Sequence, residues 1–222
     1  GKYQMIENQK EYWDSTAETK EFTTPFQLDA FSEYVKKEQS ILDVGCGYGR
    51  IMRILDNAGY RNLIGIDFSK KLIQRGIEQN PDLKFQLQTD RDLPFPSDCF
   101  DAVILAAVLT CIVENSEQRY LISEIKRVLK PNGTIYVNDF LLNDDERNRS
   151  RYHQFASEFE TFGTFRLDEG AVLRHHDERY IKTLLSCFTE LRYETLLYPT
   201  MNGHWSNGFY FIGSKGNDIK KL

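Results

Sequence analysis

The stretch from Leu42 to Arg50, LDVGCGYGR, places three glycines at every second position directly after a short apolar run. A dinucleotide-binding fingerprint, G-x-G-x-x-G, would need a glycine where Arg50 stands. A phosphate-binding P-loop would need Gly-Lys-Ser or Gly-Lys-Thr after its last glycine. Neither pattern is present, so the loop is glycine-rich with a spacing of its own.

Apolar runs typical of strands alternate with helical patterns from residue 40 onward. The run FDAVILAA, at 100–107, is almost continuously apolar, as a central strand covered on both faces requires. The predicted strands are 40–44, 62–67, 84–87, 100–107 and 134–140, and the predicted helices include 50–58 and 116–129. Such alternation predicts a doubly wound α/β fold with a mostly parallel sheet, whose ligand lies beyond the carboxyl ends of the strands.

The C-terminal third has a different pattern. A helix is predicted at 177–187, followed by strands at 189–197 and 209–214 that are joined by YPTMNGHWSNG. These two strands are expected to form an antiparallel hairpin at the edge of the sheet. Residues 141–170 have no clean period, and an insertion of that length in a compact domain is expected to be a lid.

Composition limits the possible functions. The chain has 222 residues, 41% of them hydrophobic, which suits a single domain. Its net charge of -5 offers no basic field for nucleic acid, so no DNA partner is expected. It has no apolar run of about 20 residues and no signal-peptide layout at its start, so we expect a soluble, cytoplasmic protein without a membrane partner. The four cysteines are widely separated and are expected to be reduced thiols.

Several ordered motifs resemble those of class I S-adenosylmethionine-dependent methyltransferases. Asp43 followed by the spaced glycines is similar to the first motif of that family, and Asp67 supplies the acidic residue that closes the second strand. An Asp-Leu-Pro-Phe turn follows at 92–95, and RVLKPNG precedes the predicted strand at 134–140. The resemblance covers residues 40–139 and identifies the chain as a member of the family.

The resemblance implies a seven-stranded, mostly parallel sheet with a C-terminal antiparallel hairpin in one domain, residues 1–222. It divides the chain into an N-terminal helical lid (1–38), a cofactor-binding core (39–140), an acceptor-side insertion (141–176), and a C-terminal helix with the hairpin (177–215). The implied cofactor is S-adenosylmethionine, with S-adenosylhomocysteine as its product. The residues implied to bind it are Trp13, Gly45, Cys46, Gly47, Asp67, Phe68, Asp90, Arg91 and Ala106.

The family pattern also implies roles for some of these residues. The Asp67 carboxylate would accept hydrogen bonds from both ribose hydroxyls, and Phe68 would cover the adenine face. Asp90 is the preferred residue for the adenine edge, with Thr89 and the Arg91 backbone as alternatives. Small residues in the glycine loop would let the backbone lie against the methionine and ribose, while Cys46 is best explained as a small filler.

Methyl transfer from a sulfonium mainly requires positioning, and a general base is needed only when the acceptor must lose a proton. Histidine is the usual base near neutral pH. His175 is the preferred candidate and His204 the second, whereas His153 and His176 are less favoured. His175 and His176 are adjacent, so in an extended segment they cannot both face one pocket.

Three other features have competing interpretations. Tyr12, Trp13 and Phe22 are expected either to cover the cofactor, with a cation–π contact to the sulfonium, or to form an apolar face on the core. Arg147, Arg149 and Arg151 are expected to pair with nearby acids in a solvated loop, with binding of an anionic acceptor as the alternative. Oxygen ligands occur at Asn138, Asp139, Asn143 and Asp144, but no third carboxylate follows the fourth strand, so no metal site is expected.

The sequence therefore predicts a methyltransferase that acts on a small-molecule acceptor as a monomer or homodimer. Two alternatives remain: methylation of a protein or RNA group, and cofactor binding without catalysis. The sequence AAVLTC stands where adenine methyltransferases resemble one another in an Asp/Asn-Pro-Pro-aromatic motif, and the chain contains no Pro-Cys nucleophile of the cytosine-C5 type. Both absences agree with the acidic charge.

Overall fold

The computed structural model describes residues 2–18 and 21–216, with side chains from residue 9 onward. The helices are α1 (Lys2–Thr16), α2 (Leu28–Tyr34), α3 (Arg50–Asn57), α4 (Lys70–Gln79), α5 (Asn115–Val128), α6 (Glu146–Gln154) and α7 (Glu178–Leu184), with a short 3-10 helix at Leu109–Cys111. The strands are β1 (Ile41–Val44), β2 (Leu63–Asp67), β3 (Lys84–Leu87), β4 (Phe100–Ala106), β5 (Leu129–Phe140), β6 (Thr164–Arg166), β7 (Val172–Arg174), β8 (Thr189–Pro199) and β9 (Trp205–Ser214).

Within this part of the chain, seven strands form one sheet in the order β3-β2-β1-β4-β5-β9-β8. The pairs from β3 to β5 are parallel, and β9 is antiparallel to both β5 and β8. After β3 at one edge of the sheet, the chain returns to form β4 beside β1. The strand order therefore reverses between the adjacent strands β1 and β4, and ligands bind at this point in doubly wound folds. The predicted architecture is confirmed.

The sheet has an apolar core on each face because successive side chains of a strand point to opposite sides. Leu42 and Val44 of β1 pack in one cluster with buried residues of α5 and α7. Ile41 packs in the other cluster with residues of α2 and α3. Every residue of β1 is buried, which fixes the position of the glycine loop that follows it.

The C-terminal hairpin is longer than the sequence predicted. Its strands pair as far as Tyr198 with Ser206 and Pro199 with Trp205, so the loop between them is only 200–204. Gly208 falls in the predicted joining segment, but it lies inside β9, where a Cβ atom would come within 2.2 Å of the Tyr198 ring. This glycine is required for the close packing of β9 on the Tyr198 ring.

The segment after β5 is more ordered than its polar sequence indicates. Residues 141–176 contain α6 and a two-stranded antiparallel sheet of β6 and β7. Asp145 caps α6 by accepting a hydrogen bond from the Asn148 backbone N–H. The helix at 177 ends at Leu184 rather than residue 187. Of the described helices, none has the length and apolar character needed to cross a membrane.

Candidate functional site

A cavity of about 330 Å³ opens at the carboxyl ends of β1, β2 and β4. We call the part beside Gly45, Gly47 and Asp67 the glycine-loop end, and the part beside Arg147, Arg151 and His175 the α6 end. Both belong to one continuous cavity, whose exposed lining is mostly apolar. The predicted site residues that line it are Trp13, Gly45, Cys46, Gly47, Asp67, Phe68, Arg91, Ala106, His175 and His204.

The glycine loop turns sharply because all three of its glycines have left-handed backbone conformations. The φ angles are 72° at Gly45, 55° at Gly47 and 89° at Gly49, a region that side chains disfavour. The backbone N–H groups of Gly45 and Cys46 both donate to the Ile66 carbonyl, 2.9 Å away in each case. The end of β1 is thereby attached to the end of β2.

The Asp67 carboxylate connects the glycine loop to the start of α4. One of its oxygens accepts from the Gly47 N–H at 2.9 Å, and the other accepts from the Ser69 N–H at 2.8 Å. Burial raises the pKa of Asp67, and these two hydrogen bonds oppose that rise. Because the side chain is half-buried and lines the cavity, its remaining lone pairs are available to hydroxyl donors of a ligand.

A second carboxylate, that of Asp43, lies deeper at the same end. Burial and the nearby Asp67 raise the pKa of Asp43 to about 8, against the opposing charge of Arg50. The Arg50 guanidinium donates to the Thr24 carbonyl, which ties α3 to the segment before α2. The glycine-loop end therefore has two acidic groups and one basic group, which suits a ligand with both hydroxyl and charged groups.

The far side of the glycine-loop end differs from the sequence interpretation. Asp90 does not line the cavity, and its carboxylate accepts from the Arg91 N–H. The neighbouring cavity-lining side chain is Gln88, which is buried and whose backbone N–H donates to the Asp67 carbonyl at 2.8 Å. Arg91 does line the cavity and forms a 3.0 Å ion pair with Glu117.

Helix α1 covers the cavity and is attached to both ends of it. Asp14 accepts hydrogen bonds from the Ser69 hydroxyl and the Lys71 N–H at the start of α4. Near the α6 end, the Gln9 amide exchanges hydrogen bonds with the backbone of Val172. Trp13 also lines the cavity and contacts Phe22 edge-to-face, with ring centroids 5.8 Å apart. In this part of the structure, α1 therefore lies over the cavity.

The α6 end combines apolar surface with basic side chains. Phe140, Phe165 and Leu173 provide aromatic and aliphatic walls. Arg147 and Arg151 lie one helical turn apart on α6, and both line the cavity. The Arg151 guanidinium also stacks on the Phe165 ring at 3.7 Å. The α6 end is therefore an apolar compartment with two arginine side chains on one side.

The prediction that Arg147, Arg149 and Arg151 pair with nearby acids is wrong. None of the three forms an ion pair within the described ranges, and Arg151 donates instead to the Asn148 side chain. The reason is the formation of α6, which uses Asp145 as its N-cap and turns Arg147 and Arg151 toward the cavity. Arg149 lies on the opposite side of the helix and does not line the cavity.

The two adjacent histidines point to different surroundings, as expected for an extended segment. His175 lines the cavity, and its Nδ1 lies 2.6 Å from the Tyr152 hydroxyl. His176 is fully buried away from the cavity, where its Nδ1 contacts the Phe140 carbonyl and its Nε2 contacts Gln118. Burial, followed by the charge of Arg151, lowers the pKa of His175 well below its ordinary value.

His204 lies in the 200–204 loop at the rim of the cavity. Its backbone N–H donates to the Thr200 hydroxyl at 3.1 Å, and the side chain is exposed. Trp205, which follows it, also lines the rim with 66% of its surface exposed. The β8–β9 hairpin therefore contributes one wall of the opening.

Comparison with known proteins agrees with this geometry. Residues 42–137 match a family model described as a methyltransferase domain. The structure superposes on the crystal structure of a SAM-dependent methyltransferase from Methanosarcina mazei with a TM-score of 0.81 and 25% identity, covering 88% of this chain and 100% of that one. Residues 42–137 therefore belong to the methyltransferase-domain family, and the fold around them is similar to that of a SAM-dependent methyltransferase.

Curated relatives of this methyltransferase domain act on different acceptors by name. One is the eEF1A lysine and N-terminal methyltransferase of Xenopus laevis, 32% identical over 111 residues, which are 46% of this chain and 16% of that protein. Another is the demethylmenaquinone methyltransferase of Tropheryma whipplei, 35% identical over 106 residues, which are 46% of this chain and 42% of that protein. This chain therefore spans less than half the length of either relative.

The segment matched by the family model ends before most residues of the α6 end occur in the sequence. The family model stops at residue 137, whereas α6, β7 and the hairpin loop all follow it. The fold is also shared with the [4+2]-cyclase SpnF, at a TM-score of 0.68 and 16% identity over 96% of this chain. The methyltransferase fold by itself does not define the reaction, so the cavity has to be considered separately.

Gln88, Gln9 and Arg50 are among the cavity-lining residues that sequence reasoning missed. Gln88 directly follows β3, and the rule that ligands meet strand ends would have selected it before Asp90. Gln9 and Arg50 carried no comparable signal in the sequence. The partner of Gln9, Val172, is far away in the sequence, and the partner of Arg50, Thr24, lies in a segment without regular secondary structure.

Proposed function

We propose that this chain catalyses methyl transfer from S-adenosylmethionine to a small-molecule acceptor. The observation that carries the proposal is the single cavity whose glycine-loop end and α6 end are continuous beneath α1. Two reactants held in one water-poor space react as if at very high concentration, which is the main requirement of an in-line methyl displacement. The apolar α6 end suits a compact acceptor rather than an extended chain.

The residues of the glycine-loop end are suited to the proposed cofactor. Its lining has carboxylate oxygens at Asp67 for ribose hydroxyls and the amide of Gln88 for the polar edge of a base. Gly45 and Gly47 expose backbone without side chains, and Phe68 provides an aromatic surface beside Asp67. S-adenosylmethionine supplies an electrophilic methyl group on a sulfonium. The protein's part is to orient the two reactants and to exclude water.

The acceptor would lie at the α6 end, against Phe140 and Phe165. His204 is the candidate base there for an acceptor that must lose a proton, because the described residues make no hydrogen bond to its imidazole. The role of His175 differs, because its Nδ1 is held by Tyr152 and its pKa is lowered. It is better suited to positioning the acceptor than to removing a proton.

Two measurements test the proposal. Calorimetry should detect binding of S-adenosylmethionine and S-adenosylhomocysteine, and Asp67→Ala should abolish it. Release of S-adenosylhomocysteine should then be followed with a panel of small acceptors, a protein lysate and total RNA. Turnover confined to the small molecules supports the proposal. Turnover only with protein or RNA, or tight binding of both cofactor forms without turnover, contradicts it in favour of the corresponding alternative.

A further inference from the structure

The hydrogen bonds around His175 determine which of its nitrogens carries the proton. The Asn143 side chain is oriented by its neighbours: its Oδ1 accepts from the Asn207 N–H at 2.8 Å, and its Nδ2 donates to the Ser206 hydroxyl at 2.9 Å. The same Nδ2 lies 3.3 Å from Nδ1 of His175. Nδ2 also lies 3.3 Å from the Leu141 carbonyl, so its two hydrogens are shared among three neighbours, and its contact with His175 agrees with an unprotonated, accepting Nδ1.

The Tyr152 hydroxyl leads to the same conclusion. Its oxygen accepts from the Asn143 backbone N–H at 3.1 Å, and it lies 2.6 Å from Nδ1 of His175. No other acceptor for the hydroxyl proton is present in the described structure, so Tyr152 donates to Nδ1. A neutral imidazole with an unprotonated Nδ1 carries its proton on Nε2.

The Nε2–H group of His175 faces the cavity. Within residues 9–18 and 21–216 it has no hydrogen-bond partner, and it does not belong to the fully buried polar atoms that lack one. The residue lines the cavity, so this N–H is a donor available to a ligand. Because Nε2 already carries a proton, it cannot act as the base that removes a proton from the methyl acceptor.

The two arginines of the α6 end provide further donors next to this N–H. Arg147 is exposed to the cavity opening and forms neither a hydrogen bond nor an ion pair with the described residues. Arg151 is half-buried on the Phe165 ring, and its Nε is a buried atom without a partner. Buried guanidinium donors are normally paired, so an anionic partner is missing from this compartment.

Charge indicates the size of the missing anion. The titratable groups that act on His175 are Arg151, His176, Arg147 and Asp145. Burial lowers the pKa of His176 to about 3, so it is neutral, and two positive charges and one negative charge remain. The Asp145 carboxylate is already engaged as the N-cap of α6. One positive charge remains uncompensated, which matches a single carboxylate rather than a dianion.

We propose that the α6 end of the cavity binds the carboxylate of the methyl acceptor through Arg147, Arg151 and the Nε2–H of His175. The acceptor is then a small carboxylic acid with an apolar or aromatic body, which packs against Phe140 and Phe165. This inference rests on the proposed function, since it names the acceptor class of the same site. Tyr152 and Asn143 are positioning residues, because they act only through His175.

The test uses the full chain and two pairs of probes that differ only in charge: benzoate with benzamide, and 3-phenylpropionate with 3-phenylpropionamide. Calorimetric titrations should give roughly tenfold or greater preference for at least one acid over its amide. Arg147→Gln should remove most of this preference. Arg149→Gln is the matched control on the opposite side of α6 and should keep it. Equal binding within both pairs, or equal effects of the two substitutions, overturns the proposal.

The protonation state of His175 is tested without any ligand. Nitrogen NMR of the protein labelled in its histidines should show a neutral imidazole at pH 7 with Nε2 protonated and Nδ1 unprotonated. The signal is assigned by its loss in His175→Gln. A protonated Nδ1 overturns the donor assignment.

The titrations are repeated with saturating S-adenosylhomocysteine, which separates this inference from the proposed function. If the cofactor binds but the acids are not preferred, the proposed acceptor class is contradicted and the proposed methyl transfer is kept. Acid preference without cofactor binding removes the proposed methyl transfer and keeps the anion site.

Discussion

Gly47→Ala tests whether the covering segment packs directly on the glycine loop. A Cβ atom at position 47 would come within 2.5 Å of Cε2 of Phe22. The Phe22 ring has little room to move, since it stacks on Tyr48 at 5.0 Å and contacts Trp13 edge-to-face. Its backbone N–H also donates to the Tyr48 hydroxyl at 3.0 Å. The new methyl group must therefore displace a ring that is held on two sides.

Two costs add to give the expected magnitude. The left-handed backbone at Gly47, with φ of 55°, costs a non-glycine residue about 1–2 kcal/mol. Displacing the packed ring costs about 1–3 kcal/mol more. Gly47→Ala should therefore lower the free energy of unfolding by about 2–5 kcal/mol. Gly203→Ala is the matched control, because φ there is 80° and no atom lies within 4 Å of the new Cβ, so only the backbone cost applies.

Urea denaturation of a double-mutant cycle isolates the contact. Adding Phe22→Ala to Gly47→Ala removes the ring that the new methyl group meets. The double variant should be more stable than the sum of the single effects by about 1–3 kcal/mol. If the effects instead add to within about 0.5 kcal/mol, and Gly47→Ala costs no more than Gly203→Ala, Phe22 does not pack on the loop.

Three further predictions concern polar side chains that line the cavity. The pKa of Asp43 in the folded protein is about 8, above its value in the unfolded chain. Between these two pKa values, Asp43 is protonated in the folded protein and ionised in the unfolded chain. The free energy of unfolding therefore falls as the pH rises through this range. Asp43→Asn should therefore gain about 4 kcal/mol relative to wild type between pH 5 and pH 8 in urea titrations, and a constant difference would refute this account. Asp67→Ala leaves the N–H groups of Gly47 and Ser69 without partners, so it should lose about 1–3 kcal/mol of stability per group as well as cofactor binding, and unchanged urea unfolding would contradict its structural role. Gln9→Met leaves the N–H of Val172 unpaired, which should speed its hydrogen exchange, and wild-type protection there would exclude the contact.

The central part of the fold could be predicted because its signals are local. The buried run of β1, the glycines after it and Asp67 at the end of β2 lie within a short stretch of chain. Strand alternation then determines which face each side chain occupies. The same locality limits precision at strand ends, where a difference of two positions separates Asp90, which lies outside the cavity, from Gln88, which lines it.

The α6 end of the cavity could not be predicted in the same way, because its geometry depends on distant contacts. Asn143 meets His175 across 32 residues and Ser206 across 63 residues, and no spacing rule connects them. The arginines illustrate the same point, since their surroundings depend on whether 146–154 becomes a helix. A polar segment without apolar periodicity does not reveal that outcome.

The attachment of α1 at two points links the two halves of the cavity energetically. Asp14 holds it near Ser69, and Gln9 holds it near Val172. Any change that a ligand in one half causes in the affinity of the other half, through the docking of α1, is matched by an equal change in the reverse direction, because coupling between sites is reciprocal. Two ligands that both prefer the docked helix would therefore bind with positive cooperativity.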